Sequence, residues 1–497
     1  MEKYDLCVIG AGPSGYAAAM RAVDFGKKVV LIEKDKIGGA GLYNGALTSK
    51  TMWELSQKFR TVNSSIVSSG RSKFDINWDQ VQKTMQEAMF DRKFQYSCHI
   101  KLLQSTELNQ IFKYERGFAS FIDKNNIKIT KANGDEKRIF AENIIIAIGS
   151  TPRHLPNIKV DENIILTSNG VDSMEDFPKS MVIVGAGVIG CEYATMFSNF
   201  GKTKIYLIDR ADKILPFEDE DISNLIGENL TKNGVTIHQN ANLDRLEEKD
   251  GEVEYELSYK DGKKEVIRVE KALLSVGRVI NIKGLQMENA GVKLSKRGDH
   301  IGDTDTQTNV PNIYTVGDAS GHIALVNIGE LEARHAVERI FDNKKEKLNY
   351  TNISTIMFLQ PEVASVGMNE KQCIERNIPV KIVKLDYSCI ARAIAMRKTE
   401  GFFKIIVTND DKMKILGMRA VGEHASSAIQ AVALLIKMNK GIHELAELVH
   451  PHPSIIEGVQ ECVRMLLNKS IFKSSIFKDK LWCYSCVDGV KTPLQRL

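Results

Sequence analysis

The chain has 497 residues, 43% of them hydrophobic and 26% charged, with a formal net charge of +4. That length suits about three domains, and the small charge gives no case for nucleic acid binding, which needs a clustered basic face. There is no apolar run of about 18 residues for a membrane span. The N-terminus enters a strand pattern directly rather than a secretory signal, so a reducing, cytoplasmic setting is expected.

In chain order, the strand pattern Tyr4 to Ile9 opens onto Gly10-Ala11-Gly12-Pro13-Ser14-Gly15. A helical pattern runs from there to Gly26, and a second strand, Lys28 to Ile32, ends at Glu33. The glycine-rich stretch Gly38-Gly39-Ala40-Gly41-Leu42-Tyr43-Asn44-Gly45-Ala46-Leu47-Thr48-Ser49-Lys50 follows. Asn77 to Gln104 reads as a polar helix. Strands then lead to Ile144-Ile145-Ile146-Ala147-Ile148-Gly149-Ser150.

The opening pattern then repeats: strand, Gly185-Ala186-Gly187-Val188-Ile189-Gly190, helix to Gly201, strand Lys204 to Ile208, and Asp209. Further along lie Val276-Gly277-Arg278 and Val316-Gly317-Asp318. From about Asn349, strands alternate with amphipathic helices as far as His450-Pro451-His452-Pro453-Ser454-Ile455-Ile456-Glu457. A basic tail from Asn468 carries Trp482-Cys483-Tyr484-Ser485-Cys486.

The repeat is the strongest signal. In each copy the first glycine makes a tight turn, the second admits a pyrophosphate against the backbone, and the third lets helix and strand pack closely. The helix N-terminus offers N–H donors and a partial positive charge. The acid about 20 residues on takes ribose hydroxyls. Two such units in context predict two dinucleotides. Asp209 favours NAD, because a carboxylate repels a 2′-phosphate, and Arg210 beside it leaves NADP open.

These segments, taken together over roughly residues 3 to 466, resemble the FAD-dependent pyridine nucleotide–disulfide oxidoreductases, nearest in pattern to the dihydrolipoamide dehydrogenases. The resemblance implies an α/β fold with two Rossmann-like dinucleotide-binding domains and a C-terminal α+β dimerisation domain. Residues 1–150 would form the first part of the FAD domain, 151–279 the NAD(P) domain, 280–347 the return to the FAD domain, and 348–467 the dimerisation domain. Residues 468–497 would be left as a tail.

The resemblance also implies roles. Gly10, Gly12, Gly15, Glu33, Gly149 and Asp318 would hold FAD, and Gly185, Gly187, Gly190, Asp209, Gly277 and Arg278 would serve the nicotinamide side. Lys50 would lie beside flavin N5, paired with Glu192. His452 and Glu457 would form an acid–base dyad reaching across a homodimer.

One segment departs from the pattern. Within the Gly38–Lys50 frame, the two positions that carry the family's redox cysteines hold Gly41 and Ala46, and Thr48 stands where the family has proline. Hydride transfer to the flavin is expected to persist, with space where the sulfurs would be. The electrons would then pass to a small-molecule acceptor: a quinone, a second nicotinamide nucleotide, or a dithiol of Cys483 and Cys486. If they serve the latter route, these two are catalytic residues of a true disulfide reductase. Otherwise they are half of a zinc site or incidental. A non-catalytic FAD-binding scaffold or complex subunit is the rival from another class.

Overall fold

The computed structural model describes residues 1–68, 70, 72, 74–446 and 448–494. The chain divides into two compact units: Met1–Pro178 with Leu246–Glu254 and Val269–Leu348, and Lys179–Arg245 with Tyr255–Arg268 and Asn349–Leu497. No helix among the described residues is long and apolar enough to cross a membrane.

The first unit is built on a parallel sheet. Strands β1 (Glu2–Ile9), β2 (Val29–Glu33), β3 (Phe112–Arg116) and β4 (Glu136–Ile146) run in the order β4-β1-β2-β3, and Ile313–Thr315 pairs with the free side of β4. Both faces are covered. Leu6, Val8 and Leu31 enter one apolar cluster, and Cys7, Ile9 and Ile32 enter another. This is why these strands read as unbroken apolar runs rather than as alternation. Burial pushes the Cys7 thiol far above its ordinary value, so it is an inert core residue.

Helix α1 (Pro13–Asp24) crosses from β1 to β2. A short α2 (Gly39–Leu42) and the long α3 (Ala46–Ser68) follow β2. The polar stretch beyond them is α4 (Trp78–Ser105), started by a reciprocal capping box between Asn77 and Gln80.

The second unit repeats the opening with parallel strands β5 (Ser180–Val184), β6 (Lys204–Ile208) and β7 (Thr236–His238), with helices α5 (Val188–Phe200) and α6 (Glu220–Lys232). It also holds an antiparallel sheet of β8 (Ser354–Met357), β9 (Val363–Gly367), β10 (Val380–Asp386), β11 (Phe402–Thr408) and β12 (Ile415–Val421), covered by α7 (Glu457–Leu466).

The expected tail is no tail. Its residues form β13 (Leu481–Val487) and β14 (Val490–Pro493), which extend that sheet in the order β8-β9-β12-β11-β10-β13-β14. Composition pointed to a solvated basic end, but the alternation Leu481, Cys483 against Trp482, Tyr484 is a strand period. The hairpin is anchored by charge as well. Lys404, 1% exposed, meets Glu370 at 2.6 Å, Asp221 at 2.8 Å and Asp219 at 3.1 Å. Tyr484 donates to Glu370 at 2.9 Å, and Lys491 pairs with it at 2.7 Å. Lys384, 2.8 Å from Asp221, lies 4.2 Å from the centre of the Trp482 ring.

Removing the buried cation would take the lysine from Asp219 and leave Asp221 and Glu370 with one lysine each. Lys404→Met is expected to cost about 3–5 kcal/mol in urea unfolding, and Tyr484→Phe about 1 kcal/mol. Burial favours the protonated form of Asp221, but Lys404 and Lys384 hold its carboxyl down to about 2. A depressed carboxylate stabilises the fold above its ordinary value of 3.8. That contribution should be lost as the pH falls from there towards 2, and an acid titration of the urea midpoint, shallower in Lys404→Met, checks it.

Candidate functional site

The two glycine-rich turns divide labour as the spacing predicts. Gly10 has φ +102°, and a Cβ there would meet the Ala147 carbonyl oxygen at 2.4 Å. A Cβ on Gly15 would meet the Gly10 carbonyl oxygen at 1.8 Å, so α1 can seat on the turn only without a side chain. A Cβ on Gly12 meets nothing within 4 Å. The middle glycine therefore borders open space, at a helix N-terminus with no side-chain cap.

The second turn shares part of this geometry: Gly185 has φ +101°, Gly187 borders open space, and α5 starts uncapped at Gly187. Open backbone beside uncapped N–H groups fits a pyrophosphate, so the residues present suit FAD at the first turn and NAD at the second.

The acids are held alike. Glu33 accepts from the Ala11 N–H at 2.7 Å and from the Asp35 N–H at 2.8 Å. Asp209 accepts from the Ala186 N–H at 2.6 Å and from the Ala211 N–H at 2.9 Å. Each carboxylate thus ties its strand end to its turn.

Asp318 sits in a polar group that sequence reasoning reached only in part. Ser150 donates to it, and the Arg278 guanidinium lies 3.7 Å away while also bonding the Ser150 hydroxyl and carbonyl, both at 2.7 Å. Gly149 and Gly277 adopt φ +65° and +100°, turning the chain on either side. Glu332, fully buried, accepts from the Gly317 N–H at 2.7 Å and so fixes the turn that presents Asp318. Glu332 was missed because nothing in its helix marks it apart from an ordinary surface acid.

The Gly38–Lys50 segment is closed rather than hollow. A Cβ at Gly41 would meet the Pro13 ring at 2.4 Å, and one at Gly45 would meet the Ala40 carbonyl oxygen at 2.2 Å. At Gly41, Pro13 leaves no room for a Cβ, although open space was expected there. Tyr43 is extended and Asn44 left-handed (φ +51°), which breaks α2 from α3. Lys50 lies in the second turn of α3.

In the second unit, Glu192 is buried on α5 and accepts from the Phe358 N–H at 3.0 Å. Gly190 is buried on the same helix. His452 Nδ1 lies 2.9 Å from Glu457 Oε1, with the imidazole exposed. Burial pushes Glu457 up, but the Ser454 N–H and the His452 ring hold it below the usual carboxylate range. Glu457 therefore orients the ring, and the exposed nitrogen, Nε2, is left for chemistry.

Cys483 and Cys486 do not form a working pair. They pair in register with Val383 and Val380 and enter different apolar clusters, on opposite faces of the sheet. Three strand steps separate them by about 10 Å, beyond disulfide reach. Both are buried, at 7% and 2% exposure. The dithiol and half-zinc-site readings of this motif are therefore withdrawn.

Gly12→Ala is expected to fold, since its Cβ has room, but to lose FAD because that room is the pyrophosphate's. Gly15→Ala should instead destabilise the unit by overpacking, about 1–3 kcal/mol or more. Flavin content after purification, set against the urea midpoint, separates the two.

Residues 4–333 match the family described as pyridine nucleotide-disulphide oxidoreductase, and residues 353–463 match its dimerisation domain. A dihydrolipoyl dehydrogenase from Bacillus subtilis is 31% identical over 94% of this chain and 97% of its own length. One from Geobacillus stearothermophilus is 33% identical over 93% and 96%. Among solved structures, LpdA from Mycobacterium tuberculosis has a TM-score of 0.84 at 24% identity, covering 94% of this chain and all of its own. The Cu(II) complex of the HOCl-induced flavoprotein disulfide reductase RclA from Escherichia coli has 0.81 at 25%, with the same coverage. The chain belongs to the pyridine nucleotide-disulphide oxidoreductases, FAD-dependent NAD(P)H oxidoreductases of the dihydrolipoyl dehydrogenase kind.

Proposed function

We propose that this protein is a homodimeric FAD enzyme that oxidises NADH and delivers the electrons to a planar small-molecule acceptor, a quinone or a second nicotinamide nucleotide. The observation that carries this reading is Gly41 and Ala46 in the Gly38–Lys50 frame, together with buried Cys483 and Cys486 on opposite sheet faces. Cys483 and Cys486 offer no dithiol relay in place of the missing pair, so on this reading the acceptor meets the flavin itself.

FAD, when bound, supplies the two-electron relay between nicotinamide and acceptor. Glu33 and the first turn bind its ADP half, with Asp318 towards the ribitol. Asp209 and the second turn bind NADH, and the carboxylate disfavours the 2′-phosphate of NADPH. Lys50 would place a positive charge near the bound flavin, where it would favour the anionic reduced form. His452, oriented by Glu457, supplies a proton to the reduced acceptor.

Anaerobic NADH titration tests the reading. One NADH per FAD should complete the bleaching, and the Cys483→Ala/Cys486→Ala variant should behave identically. Lipoamide turnover should be very low in both. A requirement for two NADH per FAD, or substantial lipoamide reduction, would overturn it. Failure of both NADH and NADPH to bleach the flavin would favour a scaffold.

A further inference from the structure

Each glycine-rich turn is held on two sides at the residue between its first two glycines. In the first turn the Ala11 N–H goes to Glu33, and the Ala11 carbonyl accepts from the Gly38 N–H at 2.8 Å. In the second, the Ala186 N–H goes to Asp209, and the Ala186 carbonyl accepts from the Leu215 N–H at 2.9 Å. Leu215 is fully buried and left-handed (φ +49°), a conformation that a bulky apolar residue keeps only where its surroundings impose it. Its own carbonyl accepts from the Glu218 N–H at 3.0 Å and from the Ser223 hydroxyl at 3.3 Å. The stretch from Leu215 to Asp219 thus backs the second turn.

That stretch is fastened along its length to the antiparallel sheet and to the short helix Glu370–Glu375 that follows β9. The Pro216 carbonyl accepts from Lys371 Nζ at 3.3 Å, and the Phe217 carbonyl from Asn369 Nδ2 at 2.9 Å. Glu218 takes the Arg419 guanidinium at 2.9 Å, with both side chains buried. Asp219 stands at the start of α6, but its side chain does not cap that helix. Its carboxylate accepts instead from the Glu370 and Lys371 N–H groups, at 2.9 and 3.3 Å, and meets Lys404. The Glu370 carboxylate completes the path. It meets Lys404 on one side and, on the other, Tyr484 and Lys491 of the β13–β14 hairpin.

We infer that Tyr484 and Lys491 are positioning residues for the second nucleotide site. By holding Glu370 they hold Asp219 and the Leu215 turn, and with that turn the Ala186 carbonyl. The appended hairpin is therefore a brace for nicotinamide dinucleotide binding as well as an extension of the sheet. A turn left loose would have to be ordered when the dinucleotide arrives, and that cost would appear as lost affinity. The inference rests on reading the second glycine-rich turn as the dinucleotide site, and the identity of the electron acceptor does not enter. A continuous path of contacts becomes coupling only if a change at one end is felt at the other, and binding measures that directly.

The test is isothermal titration of NAD+ into the flavin-loaded protein, set beside the urea midpoint. Tyr484→Phe and Lys491→Met should each weaken NAD+ binding about fivefold, the low end of coupling between sites, with FAD content unchanged. Lys491→Arg, which keeps the charge, should stay near wild type. Glu370→Ala leaves Lys404 with Asp219 and Asp221. It should weaken binding at least as much, and Tyr484→Phe added to it should do nothing further. A lowered urea midpoint with unmoved NAD+ affinity in both hairpin variants would overturn the inference, as would an additive loss in the Glu370→Ala background. Lys491 is exposed, so Lys491→Met decides the matter should Glu370→Ala fail to fold. A wild-type protein that binds neither NAD+ nor NADP+ would overturn the reading of the second turn, and the inference with it.

Discussion

In each nucleotide unit the architecture depends on one carboxylate that ties a strand end to a glycine-rich turn. Glu33 and Asp209 use both oxygens on backbone N–H groups, one in the turn and one two residues beyond the acid. Charge-assisted bonds of this kind are about twice as strong as neutral ones. Their effect is positional. They hold the turn so that its middle glycine faces open space and the helix aims its uncapped N–H groups there. Groups held in place in this way would lower the cost of ordering for a nucleotide bound there.

What the sequence made legible follows from what those bonds require. The glycine spacing, the strands around it and the terminal acid are local in the chain, and local constraints can be read along a chain. Even the roles of the individual glycines came through: close approach at Gly15, openness at Gly12 and Gly187. The parallel sheet was legible for the same reason, because strands buried on both faces leave unbroken apolar runs. The polar helix expected over Asn77 to Gln104 is present as Trp78–Ser105, and the structure starts it with a capping box.

Misreadings occurred where the deciding partner is distant. Cys483 and Cys486 look like a redox motif when spacing alone is considered, and a turn or helix would have made them one. The strand into which they fold is selected by pairing with β10, about a hundred residues earlier, and that pairing sends them to opposite faces. Their basic surroundings misled in the same way. Lys491 pairs with Glu370 from the appended hairpin, and its pull on the Cys486 thiol is outweighed by burial, which pushes that thiol up. Glu332 was invisible because an acid's importance lies in what it faces, which its helix does not reveal.

The departures at positions 41, 46 and 48 bear on how this protein relates to its kin. If the redox pair had simply decayed, the segment would be expected to keep the shape of the old site with holes where sulfur had been. Instead a Cβ on the glycine at one cysteine position would meet the Pro13 ring at 2.4 Å, so a side chain there would require that ring to shift. Overpacking against a proline ring that opens α1 cannot be relieved by a rotamer change. The segment is therefore coupled, through Pro13, to the first glycine-rich turn.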